Sequence, residues 1–414
     1  MTKSARPRRT RVTTEIPGFD TVLGGGLLRG GIYVVRGAPG SGKTILGNQI
    51  CFANARRGGR SAYVTLLAES HARMMLHLES LDFFDPGLVD GRVDYFSGYG
   101  ALVNGGLRGV LDFIRGSFAP RSPAKRGSTK VSPEAGTIIV IDGFVALSEA
   151  STTVTDIKKF IHELQVYADM IGATVLLLAG PATSDSRPEY TMVDGIFELS
   201  ENVHELRAFR ELRVRKLRGV AHLHGGHFFH IGSGGIVVHP RVETVHGLEA
   251  AKDRAGDVRV STGVDRLDAM LRGGLPHGSS TLVLGPSGAG KTTMGLHFLA
   301  ASPKDEHALF FGFYESPSRI MEKARRLGLP LATRSARGRL EVMWQPSTEE
   351  SVDAHVHRLL DAVSRTGATR LVIDGLDGLQ RATMHAGRAH HVFAALGNEL
   401  RARGVTTMYT YETM

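Results

Sequence analysis

The chain carries the same phosphate-binding pattern twice, and few folds accommodate that. Residues 37–44 read GAPGSGKT and residues 285–292 read GPSGAGKT, both complete matches to G-x-x-x-x-G-K-[ST]. Each follows an apolar run, Ile32 to Val35 in the first case and Thr281 to Leu284 in the second. Strand, glycine-rich turn and helix in that order are the setting in which this pattern cradles phosphate. Backbone N–H groups of the turn and of the helix start point at the β- and γ-phosphates, and the helix dipole adds positive potential. The first copy nominates Gly37, Ala38, Pro39, Gly40, Ser41, Gly42, Lys43 and Thr44 as a nucleotide site. The second nominates Gly285, Pro286, Ser287, Gly288, Ala289, Gly290, Lys291 and Thr292, with Thr293 beside them. Lys43 and Lys291 would place a positive charge on the β- and γ-phosphates of ATP. The hydroxyls of Thr44 and Thr292 suit one coordination position of Mg²⁺.

The duplication extends beyond the loops. TTEIPGFDTVLGGGLLRGG (residues 13–31) introduces the first loop, and STGVDRLDAMLRGGLPHGS (residues 261–279) introduces the second. After each loop a helical stretch leads to a strand ending in Glu-Ser, with equal spacing from Ala62 to Glu69 and from Ala308 to Glu315. An apolar run closed by aspartate follows, IIVIDG with Asp142 and RLVIDG with Asp374. An aspartate at the end of such a strand, in register with a phosphate loop, is placed to hold Mg²⁺. Asp142 and Asp374 therefore join Thr44 and Thr292 as candidate metal ligands. A further strand starts at Gly172 and at Gly404, each the same distance after its aspartate. Alternating apolar strands and helical segments predict an α/β fold with a mainly parallel sheet, flanked by helices, in each half.

The halves differ in two ways. The stretch from Lys43 to Asp142 is longer than that from Lys291 to Asp374, and the excess coincides with a Pro-, Ser- and Lys/Arg-rich segment, about residues 116–136, read as a disordered basic surface insertion. The first half also continues about 100 residues past its aspartate, whereas Met414 falls in register with Ala182. The second domain is therefore expected to be C-terminally incomplete relative to the first. The expected organisation is a basic flexible tail over 1–12, a first domain over 13–245 and a second over 246–414.

Charge and cysteine content narrow the setting. Among 414 residues the formal net charge is +9, which suits phosphate ligands, nucleic acid or an acidic partner. The basic residues near the N-terminus and in the insertion read first as solvated segments. A single cysteine, Cys51, excludes an intramolecular disulfide and points to the cytoplasm. The basic N-terminus lacks the apolar core of a secretory signal, and no apolar run is long enough to span a bilayer, so no membrane association is expected.

The leader, the phosphate loop, the Glu-Ser strand and the h-h-I-D-G strand (h, apolar) together resemble the RecA/RadA superfamily of P-loop NTPases. Within it, the tandem layout is similar to the KaiC-like ATPases. The segment ELRVRKLRGVAHLHGGHFFHIGSGGIVVHP (residues 211–240) resembles that family's K-L-R-G-x-x-H stretch and closing hairpin. The resemblance implies two tandem RecA-like domains, ATP with Mg²⁺ between neighbouring subunits, and a homo-oligomer in the form of a hexameric ring. It implies that Lys216 and Arg218 reach a neighbour's ATP and that His222 lies near that site. The family often carries adjacent glutamates after the second strand. Here the candidates to activate water are single, Glu69 and Glu315.

The function so implied is a slow regulatory or signalling ATPase with an unidentified protein partner. A Ser/Thr autokinase stands as an alternative by analogy alone, since the family's phosphorylated Ser-Thr pair would lie beyond the equivalent of Met414. A DNA-binding RadA-like recombination or repair ATPase is a second alternative, not favoured because no helix-turn-helix or zinc-finger pattern is present. An ATP-held, non-enzymatic scaffold is a third. His222, His224, His227 and His230 invite a metal reading, but the family hairpin accounts for them, with His222 and His224 on one strand face and Gly225-Gly226 as the turn.

Overall fold

The computed structural model describes residues 10–67, 71–118, 135–181, 188–204, 207–246, 258–346 and 350–413. The chain divides into two compact units, Met1–Pro240 and Arg241–Met414.

The first unit runs β1 (Arg11–Val12), α1 (Phe19–Val22), β2 (Leu27–Leu28), β3 (Ile32–Gly37), α2 (Lys43–Arg56), β4 (Arg60–Thr65), α3 (His71–Leu78), β5 (Val93–Ser97), α4 (Tyr99–Ser117), β6 (Thr137–Asp142), α5 (Phe144–Ala150), α6 (Val154–Ile171), β7 (Ala173–Ala179), β8 (Gly195–His204), β9 (Arg207–Leu217), β10 (Gly226–Gly232) and β11 (Gly235–His239). Its main sheet has the order β11-β10-β9-β8-β3-β7-β6-β4-β5 among the described residues. From β8 to β5 neighbours are parallel, and β9, β10 and β11 continue antiparallel. Side chains alternate between two buried faces. Tyr33, Val35, Tyr63, Val140 and Leu178 pack with α2, while Ile32, Val34, Val64, Ile139 and Leu177 pack with α4, α5 and α6. Helices on both faces are why these strands read as unbroken apolar runs. Helix α6 starts on a capping box, in which Thr153 and Asp156 exchange hydrogen bonds, and Gly172 closes it at φ 65°.

The second unit runs α7 (Val242–Val245), β12 (Arg259–Val260), α8 (Asp265–Met270), β13 (Leu275–Pro276), β14 (Ser280–Gly285), α9 (Lys291–Ala300), β15 (Ala308–Gly312), α10 (Pro317–Arg326), α11 (Leu331–Ala336), β16 (Leu340–Trp344), α12 (Val352–Thr366), β17 (Arg370–Asp374), α13 (Leu376–Arg381), α14 (Ala389–Ala402) and β18 (Thr406–Glu412). Its parallel sheet, β14-β18-β17-β15-β16, repeats β3-β7-β6-β4-β5 strand for strand. Phe310, Val372 and Met408 pack with α9, and Leu309, Phe311, Leu371 and Ile373 pack with α12 and α14. β14 is a sheet edge among the described residues, and Leu282 and Leu284 on it are 50% and 59% exposed.

Three sequence-based boundaries shift. α7 packs in the second unit, although residues up to 245 were expected in the first. The Val242 N–H donates to Asp353 Oδ1 at 3.0 Å, and Arg388 bridges Glu243 at 2.8 Å and fully buried Asp353 at 2.5 Å. Burying Asp353 without that guanidinium would be strongly unfavourable. The tail is shorter than 1–12, because Arg11 and Val12 pair with Leu28 and Leu27. The insertion starts later than residue 116, because α4 runs through Ser117 and Phe118 packs against Phe96 and under Arg60. Residues 119–134 of the expected insertion lie outside the described residues.

Candidate functional site

Both phosphate loops join the C-terminal end of a strand to the start of a helix, β3 to α2 and β14 to α9. The turn into each helix passes through a left-handed glycine, Gly42 at φ 98° and Gly290 at φ 89°. A side chain at either position would be strained. At Gly42 its Cβ would also come within 2.8 Å of Ile231 Cδ1 on the β10–β11 hairpin. That hairpin covers the start of α2, whereas Pro286 to Gly290 are all exposed.

The two loops hold their functional side chains alike. Lys43 Nζ donates to Gly37 O at 2.9 Å and Ala38 O at 2.8 Å, and Lys291 Nζ donates to Gly285 O at 2.8 Å and Pro286 O at 2.7 Å. Burial lowers the Lys43 pKa from the ordinary lysine range, and nearby Asp142 works against that. One strand separates each loop strand from the strand bearing the aspartate, β7 in the first unit and β18 in the second. The threonine at the helix start reaches across: Thr44 Oγ1 lies 3.3 Å from Asp142 Oδ2, and Thr292 Oγ1 lies 3.0 Å from Asp374 Oδ2. Each pair offers hard oxygen donors of the kind Mg²⁺ takes. Burial raises the Asp374 pKa, while hydrogen bonds from Thr410 and Thr292 oppose the rise.

Sequence reasoning missed the residues that hold these carboxylates. Tyr63 donates to Asp142 Oδ2 at 2.5 Å, and Thr410 Oγ1 donates to Asp374 Oδ1 at 2.7 Å. Asn48 ties α2 to β5, donating to Thr44 O at 2.8 Å and accepting from Tyr95 at 2.7 Å.

In the second unit Glu315 lines a cavity of about 390 Å³ with Lys291, Thr292, Thr293 and Asp374. A volume of that size suits a small ligand. Glu69 lies outside the described residues. Strand register bears on the spacing instead. Ala62 pairs with Ile139, three residues before Asp142, and Leu309 pairs with Leu371, three before Asp374, so Ala62 matches Leu309 rather than Ala308. The equal spacing read from Ala62 and Ala308 is thus one residue out of step with the sheets.

Lys216 and Arg218 come together on one backbone carbonyl, that of Thr191. Lys216 Nζ donates to Tyr190 O at 3.0 Å and Thr191 O at 2.9 Å, and Arg218 donates to Thr191 O at 2.7 Å. A β-bulge leaves Arg215 as the extra residue on β9, and it pairs with Glu198 at 2.5 Å. His222 and His224 do not share a strand face. β9 ends at Leu217, and both histidines lie in the loop before β10, with ring centroids 4.5 Å apart. Burial and His224 lower the His222 pKa. The tight hairpin turn is Ser233-Gly234, because Gly232 pairs with Gly235, while Gly226 opens β10. Among the described residues no group of three or more His, Cys, Asp or Glu could hold a metal ion. None of the described helices is long and apolar enough to cross a membrane.

A family model described as "ATPase: KaiC" matches residues 12–83, 128–243 and 260–414, covering both loops, both strand-end aspartates and the β8–β11 extension. The chain belongs to the KaiC ATPase family. It is 24% identical over 379 residues to the circadian clock oscillator protein KaiC of Acaryochloris marina, an alignment covering 90% of this chain and 70% of that one. It is likewise 24% identical over 382 residues to the protein of that name from Prochlorococcus marinus strain MIT 9313, covering 90% and 73%. The Thermosynechococcus vestitus protein of the same name matches at 24% over 386 residues, covering 90% and 70%. Membership of an ATPase family implies nucleotide binding.

Proposed function

We propose that the chain is a tandem ATPase, each unit a RecA-like domain binding ATP with Mg²⁺, working as a homo-oligomeric, hexameric ring in the cytoplasm with a regulatory role. The observation that carries this is the recurrence, in two separate units, of a phosphate-loop threonine set against a strand-end aspartate. In this reading the loop amides and Lys43 bind the β- and γ-phosphates, with Lys43 exchanging its carbonyl partners for phosphate oxygens. Lys291 does the same in the second unit. Thr44 with Asp142, and Thr292 with Asp374, would hold Mg²⁺, which neutralises charge on the phosphates when bound. Glu315 accepts a proton from the attacking water in the second unit, and Glu69 is assigned that part in the first.

The same reading gives Lys216 and Arg218 to a neighbouring subunit's ATP. Lys216 pairs with Ile196, which is level with Val34, and β3 runs three residues further to reach Gly37. At about 3.3 Å per residue that is roughly 10 Å along the sheet, with β8 in between. Lys216 is thus set back along the sheet from its own loop, which supports a role toward a neighbour, and the fixed guanidinium of Arg218 suits the charge of a transferring phosphoryl group. The same reading assigns His222 to that interface.

Titration with a fluorescent ATP analogue tests the reading. Two sites per chain are expected, falling to one in Lys43→Ala and in Lys291→Ala. A stoichiometry unchanged by either substitution would overturn it.

A further inference from the structure

We propose that Lys323 is a γ-phosphate-reading cation of the second site, held on Glu315 and drawn off it by a nucleoside triphosphate. The proposal rests on the reading of that cavity as an ATP site. Lys323 stands two turns into α10, the helix that starts just after Glu315 and Ser316. Helical side chains lean toward the N-terminus, and Lys323 follows that lean back to the strand end. Its Nζ lies 2.5 Å from Glu315 Oε1, with the two side chains 36% and 27% exposed. The pair lines the same cavity as Lys291, Thr292 and Asp374.

The other cations of α10 are placed differently. Arg325 and Arg326 are both bound to Glu322, at 2.8 Å each. Arg319 is exposed and lines an adjoining pocket that meets the cavity at Glu315 and Lys323. Lys291 is held by the carbonyls of its own loop. Lys323 is thus the α10 cation that bridges the proposed base and the nucleotide cavity. The matching stretch of α3 in the first unit has Leu76 and His77, neither a fixed cation, so the device belongs to the second unit.

The chemistry follows from charge. While Lys323 holds Glu315 Oε1, that oxygen is engaged and is not open to an attacking water. A γ-phosphate offers Lys323 a more highly charged partner than one carboxylate, and a diphosphate lacks that group. Transfer of Lys323 to the γ-phosphate would free Glu315 and add a cation to the site in one movement. The site would then arm its base only when a triphosphate is present.

The test uses the full chain carrying Lys43→Ala, so that binding reports the second site. Affinities for a fluorescent, non-hydrolysable ATP analogue and for fluorescent ADP are measured for Lys323→Met and Lys323→Arg. A charge-assisted contact to phosphate is worth about tenfold or more in affinity. Lys323→Met is expected to lose about that factor for the triphosphate and to keep its ADP affinity, with Lys323→Arg restoring the triphosphate. An equal loss for both nucleotides, or no loss, would overturn the proposal. Absence of binding in the Lys43→Ala parent would overturn the site assignment itself. Turnover of Glu315→Gln is a separate readout: undiminished hydrolysis would remove Glu315 as base, while the ATP-against-ADP split would still report on Lys323.

Discussion

Tyr63 on β4 donates its phenolic hydrogen to Asp142 on the neighbouring strand β6, and the second unit replaces that contact from the opposite side. The residue level with Tyr63 is Phe310, which has no hydroxyl, while Thr410 on β18 donates to Asp374. Thr410 in turn is level with Leu178 of β7. Each aspartate thus keeps one hydroxyl donor besides its loop threonine, supplied from β4 in one unit and from β18 in the other. Burial and Asp142 raise the Tyr63 pKa well above its ordinary value, so the phenol stays a donor throughout the neutral range.

Tyr63→Phe is therefore expected to loosen Asp142 without emptying the core. The stability loss should be about 1 kcal/mol, the usual net worth of one hydrogen bond. The Mg²⁺ requirement of the first site, measured in a Lys291→Ala background, should rise several-fold. Adding Leu178→Thr puts a hydroxyl where the second unit has Thr410 and should bring the Mg²⁺ requirement back down. A Mg²⁺ dependence unmoved by Tyr63→Phe would rule the contact out as a metal-positioning device.

Asp374 makes the opposite contribution to stability. Its pKa is raised by burial, so the folded chain binds its proton more tightly than the unfolded chain does. The stabilising effect is fully present below the ordinary aspartate range and is lost as pH rises through the raised value. At neutral pH, without nucleotide, the charged carboxylate is a cost. Asp374→Asn should therefore raise the melting temperature of the second unit at pH 7, by about 2–4 °C for each kcal/mol relieved. The advantage should shrink as pH falls toward 4, and nucleotide binding with Mg²⁺ should weaken. Thermal melts at several pH values decide this; a lower Tm at pH 7 would contradict it.

If Arg218 serves a neighbour's ATP, subunits with different defects should complement. Arg218→Ala alone should lower turnover at the first site by about 10³-fold or more, the scale of a trans-acting arginine. Mixing Arg218→Ala with Lys43→Ala subunits should restore activity, because some interfaces then pair an intact loop with an intact arginine. Activity of the mixture equal to the sum of its parts would place the arginine elsewhere.

The phosphate loops, the strand-end aspartates and the order of strands and helices are legible in the sequence because each is local: glycine, lysine and threonine at fixed offsets do their work within a few residues. Tyr63 and Thr410 are not legible. Their partners are set by which strand lies beside which, and β7 and β18 slot between strands that are not neighbours of each other in the chain. The one-residue step between Ala62 and Ala308 arises in the same way, since repeated apolar letters allow two alignments and only pairing with the strands of Asp142 and Asp374 chooses one. The histidines misled because β9 bulges at Arg215 and ends at Leu217, which moves His222 and His224 off any strand face. Among several glycine pairs, the cross-strand partners of β10 and β11 put the turn at Ser233-Gly234.

The most direct measurement is steady-state ATP hydrolysis by the purified chain beside Lys43→Ala, Lys291→Ala and the double variant. A tandem ATPase should turn over ATP, lose part of that activity with each single substitution and fall to background in the double. A wild-type rate no higher than that of the double variant would contradict hydrolysis by this chain and leave a protein that only binds ATP.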